Sequence, residues 1–584
     1  MSLVNIKIEG VPYQVEAGLT ILEAAKACGY EIPSLCTFNH GECNQGSCRV
    51  CLVEATGARG LVASCVYPVA EGMEIKISSP KAVEARRRSV ELLLSNHNVN
   101  CQQCLKNGNC ELLHVAQMTG AREGAYQGSH SETYLDELAP GLVRDTSKCI
   151  LCGRCIARCQ NAHGLGILGF ENRGFKTFVS PAENRSFANS PCIQCGQCVS
   201  VCPTGALMEK SEIGKIDEAF RQGKHVVVQA APAVRASLGE EFGYPIGTPV
   251  TGKMIAALRR LGFERVYDVN FGADLTIMEE GTELLHRLKA HASGEAGAED
   301  APLPMFTSCC PAWVKYLETY EPGMTPHLST AKSPQQMFGA MIKTWYAERE
   351  GIDPAEICSV SVMPCTAKKF ECQRPEMNDS GFQDVDISIT VQELDRMIRT
   401  GGIDYRNLEE TAFDDPFGLG SGAGLIFGAT GGVMEAALRT VYKVLTGKEM
   451  ESLNYEPVRG FEGVKQAAVD IGGTEVRVAV AHGIANAQKV VDKVKSGTSD
   501  WHVIEIMACP GGCIGGGGNP PKTWKKMEER RKAIYEAAAA LPEQQSHNNP
   551  AVAKVYETYL GEPCGELSHK LLHTRYFNRQ DLLR

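Results

Sequence analysis

The chain has 584 residues, 43% of them hydrophobic and 22% charged, a globular composition with length for three or four domains. Its net charge of −10 argues against nucleic acid as a partner. No apolar run approaches the ~18 residues needed to span a bilayer. The start, MSLVNIKIEGVPYQVEAG, lacks the charged segment and apolar core of a secretory leader, so a cytoplasmic location is expected. Twenty-five cysteines, mostly in tight groups, then read as metal ligands or catalytic thiols rather than disulfides.

Residues 1–80 open with the alternation VNIKIEGVPYQVEAG, which predicts a β-hairpin around Glu9-Gly10. A short helix follows in LTILEAAKACGY. Cys36, Cys48, Cys51 and Cys65 are spaced C-x11-C-x2-C-x13-C on turns around the strand RVCLVEAT. Two close and two distant thiolates suit a 2Fe–2S cluster, although zinc takes the same ligand types. The segment resembles the plant-type-related ferredoxin domain of complex I and hydrogenases, which implies 2Fe–2S. Cys43 is off that pattern and Cys28 lies on the helix, so both are read as non-ligating.

Residues 81–120 predict a helix in AVEARRRSVELLLSN, then His97-x3-Cys101-x2-Cys104-x5-Cys110. One imidazole and three thiolates could hold zinc or an iron–sulfur cluster. HNVNCQQCLKNGNC resembles the 4Fe–4S module in which histidine replaces one thiolate, and this implies that all four residues are ligands. Residues 141–210 carry an internal repeat, CILCGRCIARC from Cys149 and CIQCGQCVSVCP from Cys192. Each run is C-x2-C-x2-C-x3-C, in which the fourth cysteine binds the other cluster. Cys149, Cys152, Cys155 and Cys202 are therefore assigned to one 4Fe–4S cluster, and Cys192, Cys195, Cys198 and Cys159 to a second. Gln160 stands where proline usually follows such a run. A string of clusters conducts electrons, so the remaining chain must use or supply them.

From about Ser211 short buried strands (KHVVVQAAP, ERVYDVNF, AEICSVSVMPC) alternate with helical patterns (GKMIAALRRLGF, TIMEEGTELLHRLKA, KSPQQMFGAMIKTWYAERE). Thr390 and Glu393 form a capping box before VQELDRMIRT. This alternation predicts a mainly parallel α/β region with room for two lobes around a cleft. HASGEAGAEDAPLP, 291–304, reads as an exposed loop. The glycines of GSGAGLIFGATGGVMEAALR do not follow the order of a dinucleotide fingerprint. Those of GGCIGGGGNP surround a cysteine, where they let backbone approach a bulky inorganic group. The expected fold class is thus multidomain, α+β and α/β. Ferredoxin-like modules at 1–80, 81–120 and 141–210 precede a large two-lobed α/β domain at 211–584.

Three signatures remain: TSCCPAW with Cys309 and Cys310, VMPCTAKKFE with Cys365, and IMACPGGCIGGGG with Cys509 and Cys513. With the module order before them, they resemble the FeFe (iron-only) hydrogenases over essentially the whole chain. The resemblance implies the reaction 2H⁺ + 2e⁻ ⇌ H₂ at an H-cluster, a 4Fe–4S cluster joined to a diiron site that carries CO, cyanide and a bridging dithiolate. It implies Cys310, Cys365, Cys509 and Cys513 as ligands, with Cys513 bridging. Lys368 would pair with a cyanide, and Met363, Met507, Gln335 and Phe427 would pack around the diiron ligands. Cys309, Glu280, Ser329, Glu283 and Arg287 would carry protons, and an ordinary thiol pKa of ~8.5 lets Cys309 act in both directions. The stretch AAPAVRAS has Ala233 where the family often has serine, which removes a side-chain donor to cyanide. Cys358, Cys372 and Cys564 are given no role.

The resemblance also implies maturation proteins that fill the diiron site. It points to flavin- and NAD(P)-binding partner subunits, or to ferredoxin if the enzyme is free-standing. An electron-transfer subunit shares the first 210 residues but not the three later signatures. A hydrogen sensor or assembly factor would alter the pocket residues that are present here.

Overall fold

The computed structural model describes residues 2–38, 42–294, 300–450, 455–471 and 473–584. The backbone packs into two compact units, Met1–Phe187 with Val201–Met208, and Ala188–Ser200 with Glu209–Arg584. The segment with Cys192, Cys195 and Cys198, read from sequence within the 141–210 module, packs in the larger unit. Among the described residues no helix is long and apolar enough to cross a membrane.

In the first unit β1 (Leu3–Ile8) and β2 (Val11–Glu16) form the expected hairpin. Glu9 and Gly10 both take positive φ, 52° and 81°, the turn that suits strand twist. With β3 (Leu52–Ala55), β4 (Val62–Ala63) and β5 (Met73–Lys76) they make a sheet in the order β2-β1-β5-β3-β4. Helix α1 (Ile21–Ala27) starts on a capping box between Thr20 and Glu23. Helix α2 (Pro80–Leu94) packs on α3 (Glu111–Thr119), and α4 (Arg154–His163) begins inside the first cysteine run and carries Cys155 and Cys159.

The second unit holds two four-stranded sheets. β6 (His225–Ala230), β7 (Arg265–Asp268), β9 (Ile357–Met363) and β10 (Ile387–Thr390) are parallel throughout, in the order β7-β6-β9-β10. The register sets Ala230 opposite Asp268 on one side and Val362 on the other. β6 and β9 are almost wholly buried, as strands of a parallel sheet covered on both faces are. The other sheet, β8 (Met305–Phe306), β11 (Val464–Ile471), β12 (Thr474–His482) and β13 (Val503–Met507), runs β8-β13-β12-β11. Its β11–β12 pair is an antiparallel hairpin, a departure from the expected parallel pattern. β11 closes the sheet edge with one face largely exposed, as antiparallel edges allow.

Helices follow the parallel strands: α5 (Pro232–Ser237) after β6, α6 (Asn270–Ser293) after β7, α7 (Pro311–Tyr320) after β8, α8 (Pro334–Met341), α9 (Ala367–Cys372) after β9 and α10 (Val391–Thr400) after β10. Beyond them lie α11 (Gly422–Ile426), α12 (Gly432–Thr446), α13 (Trp524–Ala539) and α14 (Glu566–Leu572). The capping box expected at Thr390 opens α10, with Glu393 N–H donating to Thr390 Oγ1 at 3.2 Å and Thr390 N–H to Glu393 Oε2 at 2.8 Å. The loop read at 291–304 is corrected at both ends. α6 continues through Ser293 and Pro304 is buried; residues 295–299 lie outside the described set. The glycines from Gly420 serve packing: a Cβ at Gly432 would meet Ile426 O at 1.9 Å, and one at Gly420 would meet Asn270 Cβ at 2.1 Å.

α6 packs on α8 through Gly272, where an added Cβ would meet Pro334 O at 2.3 Å, whereas at Gly281 the nearest atom would be Val441 Cγ2 at 3.8 Å. Gly272→Ala should therefore cost about 1–3 kcal/mol through overpacking. Gly281→Ala should gain up to about 1 kcal/mol through helix propensity. Thermal midpoints of the two variants, measured side by side, should move in opposite directions.

Candidate active site and iron–sulfur centres

The residues that follow five parallel strands line one cavity of about 80 Å³. Ala231–Ala233 come after β6, Val269 after β7, Cys309 and Cys310 after β8, Pro364 and Cys365 after β9, and Cys509 and Cys513 after β13. Ligand sites collect at such strand ends because loops there can vary over a rigid sheet. Four thiols, Cys310, Cys365, Cys509 and Cys513, share this cavity with Cys309, Met363, Met507, Gln335, Phe427 and Lys368. Cys310 is the residue before α7, and the N–H groups of Ala508 and Trp313 bond its sulfur. Burial and the neighbouring Cys509 raise this thiol, while the two N–H donors and the helix start pull toward the thiolate.

Lys368 stands in the first turn of α9 and donates to Glu371 Oε2 at 2.8 Å and to Cys309 O at 3.2 Å. Burial opposes its charge, yet Glu371 holds the ammonium above the ordinary lysine range. The same Glu371 oxygen accepts from Ser333 Oγ at 2.8 Å and Gln335 Nε2 at 3.1 Å. Gln335 Oε1 in turn accepts from Ser361 Oγ at 2.8 Å, so the amide is fixed from both ends. Glu371 was missed in the sequence, although its i,i+3 spacing from Lys368 was a readable signal. Cys372 accepts from Gln335 Nε2 at 3.2 Å, and Cys358 is buried in β9.

The glycine run packs where no side chain fits. A Cβ at Gly516 would meet Pro364 O at 2.1 Å, and one at Gly517 would meet Cys195 O at 2.4 Å. The CIQCGQC loop thus sits on the cavity wall. Thr366 Oγ1 donates to Gln194 O at 2.7 Å, Gln197 Nε2 donates to Gly515 O at 2.9 Å, and the Cys195 and Cys509 thiols are close enough to repel as thiolates. Of the glycines expected from sequence to let backbone approach an inorganic group, Gly512 and Gly516 line the cavity, and the run also joins three cysteine loops.

In the first unit the thiols of Cys36, Cys48, Cys51 and Cys65 converge, Cys36 bonding Cys48 and Cys65, and Cys51 bonding Cys65. Cys43 instead donates to Cys36 O at 3.4 Å, while Cys28 packs against the apolar core. His97, Cys101 and Cys110 line one cavity, and Cys104 lies near Cys110. His97 Nδ1 is buried without a hydrogen-bond partner, as a nitrogen reserved for a metal would be. Cys149, Cys152, Cys155 and Cys202 line another cavity of about 20 Å³. Cys159 lies on α4 in this first unit. Grouped soft thiols with an orphaned imidazole nitrogen fit iron–sulfur ligation.

A line of polar groups leaves the main cavity along α6. Glu280 and Glu283 share one face of that helix. Glu280 Oε1 accepts from Ser308 N–H at 3.3 Å, and its Oε2 has no partner. Glu283 Oε2 accepts from Ser329 Oγ at 2.8 Å, and Glu283 Oε1 from Arg287 Nη2 at 2.6 Å. Burial, then the Glu283 carboxylate, push Glu280 up to about 8, against the Ser308 N–H donor. Burial, then Glu280, push the Cys309 thiol well above its ordinary value. Burial thus moves Cys309 away from the ordinary thiol value from which its two-way proton exchange was read.

Comparison with known proteins agrees with this geometry. Residues 224–517 match the iron only hydrogenase large subunit, C-terminal domain, and 525–579 match the iron hydrogenase small subunit. Residues 2–80 match a 2Fe-2S iron-sulfur cluster binding domain, 86–124 the NADH-ubiquinone oxidoreductase-G iron-sulfur binding region, and 141–203 a 4Fe-4S dicluster domain. The chain is 47% identical over 589 residues to NADP-reducing hydrogenase subunit HndD of Solidesulfovibrio fructosivorans, covering 100% of both. It is 40% identical to iron hydrogenase 1 of Clostridium pasteurianum, covering 98% of this chain and 99% of that one. A solved [FeFe]-hydrogenase HydA1 from Chlamydomonas reinhardtii superposes with a TM-score of 0.55 at 40% identity, over 62% of this chain and 98% of that chain. The chain belongs to the FeFe hydrogenases, iron–sulfur enzymes that interconvert protons, electrons and H₂. The match at 525–579 was not foreseen in the sequence, where 211–584 reads as one domain.

Glu280 rises from 4.5 to about 8, so at neutral pH it is a protonated acid. Between these values the unfolded chain binds fewer protons at this site than the folded one, and Glu280's contribution to stability falls as pH rises. Infrared spectra at pH 7 should show a carboxylic-acid band that disappears in Glu280→Gln and titrates near pH 8. A fully ionised Glu280 at pH 7 would contradict the burial argument.

Proposed function

We propose that this chain is the hydrogen-activating subunit of a multisubunit hydrogenase that exchanges electrons with NAD(P). The cavity shared by Cys310, Cys365, Cys509, Cys513 and the non-ligating Cys309 carries this reading, in a chain whose 47% identical full-length relative is named an NADP-reducing hydrogenase subunit. When bound, the H-cluster supplies the iron site at which protons and electrons combine. The four thiolates would hold it, with Cys513 as the bridge. Lys368 offers an ammonium to an anionic ligand in a dry pocket. Met363, Met507 and Phe427 exclude water, and Gln335 is held in place by Glu371 and Ser361. Ala233 leaves that position without a side-chain donor.

Electrons would arrive through one 2Fe–2S cluster on Cys36, Cys48, Cys51 and Cys65, and three 4Fe–4S clusters with the ligand sets read from spacing. Together with the H-cluster these sets hold about 20 iron atoms. Protons would move between the Cys309 thiol, the Glu280 carboxyl, the Ser329 hydroxyl and Glu283, each holding a proton at a sulfur or oxygen atom.

Cys309→Ala should keep its iron content and cluster spectra and lose turnover by about 10²-fold or more, the scale of general acid–base catalysis. Normal turnover, or loss of the cluster, would overturn the division of labour between Cys309 and Cys310. The native enzyme, purified without oxygen, should contain further polypeptides that bind flavin and NAD(P). A single polypeptide that exchanges electrons only with ferredoxin would replace that part of the reading.

A further inference from the structure

We propose that His573, acting through Thr330, is the proton-exchanging outer end of the line that includes Glu283, and that Arg287 positions Glu283 without carrying protons. This rests on reading Cys309, Glu280, Ser329 and Glu283 as the proton line.

Both oxygens of Glu283 are fully engaged. Its Oε1 accepts from Arg287 Nη2 at 2.6 Å and Nε at 3.2 Å. Its Oε2 accepts from Ser329 Oγ at 2.8 Å, Thr330 N–H at 2.9 Å and Thr330 Oγ1 at 3.3 Å. Arg287 uses its other donors on the carbonyls of Pro302, Pro326 and Leu328 at 3.2, 3.1 and 2.8 Å. A guanidinium does not lose its proton in a protein, so Arg287 is a clamp and the line needs another exit.

Thr330 supplies one. Its Oγ1 is 2.7 Å from His573 Nδ1, and His573 Nε2 is 3.0 Å from Glu279 Oε2. Glu279 also accepts from Cys564 N–H at 2.6 Å and Tyr556 Oη at 2.5 Å. The result is a carboxylate–imidazole–hydroxyl array, in which the carboxylate fixes the tautomer and leaves the other nitrogen free to exchange. Imidazole is the side chain suited to proton exchange near neutral pH.

The transfer balances. The Nδ1–H bond of the imidazolium breaks as its proton passes to Thr330 Oγ1, whose own proton passes to Glu283 Oε2. His573 ends neutral and Glu283 ends protonated, ready to pass a proton inward. The groups facing His573 are Glu279 and Glu283 on α6, Tyr556 through Glu279, Cys564 at 4.0 Å and His569. Arg287 acts only across Glu283. The half-exposed Cys564 and the exposed His569, whose ring stacks on His573 at 4.5 Å, put solvent one side chain away.

The test uses the complete enzyme. Thr330→Val and His573→Gln should each lower H₂ turnover about tenfold, a partial loss on the general acid–base scale, and change the shape of its pH profile. Thr330→Ser should retain turnover, added imidazole should restore His573→Gly, and iron content should stay constant. In protein prepared without the diiron group, the infrared titration of Glu283, assigned by its loss in Glu283→Gln, should shift in His573→Gln. Normal turnover in Thr330→Val and His573→Gln alongside an impaired Glu283→Gln overturns the proposal alone. Normal turnover in Glu283→Gln as well overturns the proton line beneath it. Impaired variants with an unchanged profile, no rescue by imidazole and an unmoved Glu283 titration would assign His573 a structural role and overturn the proposal.

Discussion

A buried apolar cavity can receive charge only through groups built into its wall, because an unpaired charge in a low-dielectric interior is too costly to leave alone. The rest of the second unit answers that constraint. Five parallel strands end at the cavity and bring four thiols together from loops up to about two hundred residues apart in sequence. The cysteine loop from residue 192 rests on the glycine run, backbone against backbone with no side chain between. Burial raises the Glu280 carboxyl and the Cys309 thiol beside that cavity.

Buried carboxylates elsewhere in the unit are resolved by different partners, and each resolution ties separate segments together. Glu505 on β13 accepts from the Gly431 and Met434 N–H groups at 2.6 and 2.8 Å and so caps α12 from across the sheet. This uses the free donors of a helix start, where negative charge is favoured. Glu371 fixes Lys368 and Gln335 together. Glu318 on α7 takes a two-pronged Arg374 at 2.6 and 3.0 Å, the Phe577 N–H at 2.9 Å and Arg579 Nε at 2.8 Å. That last set anchors the C-terminal segment, whose Thr574 N–H donates to Thr330 O at 2.7 Å and whose Tyr576 hydroxyl donates to Ser329 O. The region matched to an iron hydrogenase small subunit is here part of the same chain, and it covers the outer end of the Glu283 line.

The sequence by itself determined the iron–sulfur modules of the first 210 residues, because a cluster demands thiols at intervals that one turn can satisfy. It determined the first hairpin, the capping boxes and the parallel strands, since each follows from local pattern and turn chemistry. It also determined the family, through three signatures that lie in separate loops. Tertiary structure alone decided that Glu280 and Cys309 are both shifted upward, because burial and neighbouring charges, not residue type, set the direction. It decided that the glycine run joins three cysteine loops, that α6 continues through Ser293 and that β11 pairs antiparallel at an edge. Most of all it decided the company of His573, which lies 243 residues from Thr330 and 294 from Glu279. No spacing rule reaches across such distances, and only the packed chain brings the three side chains within hydrogen-bond range.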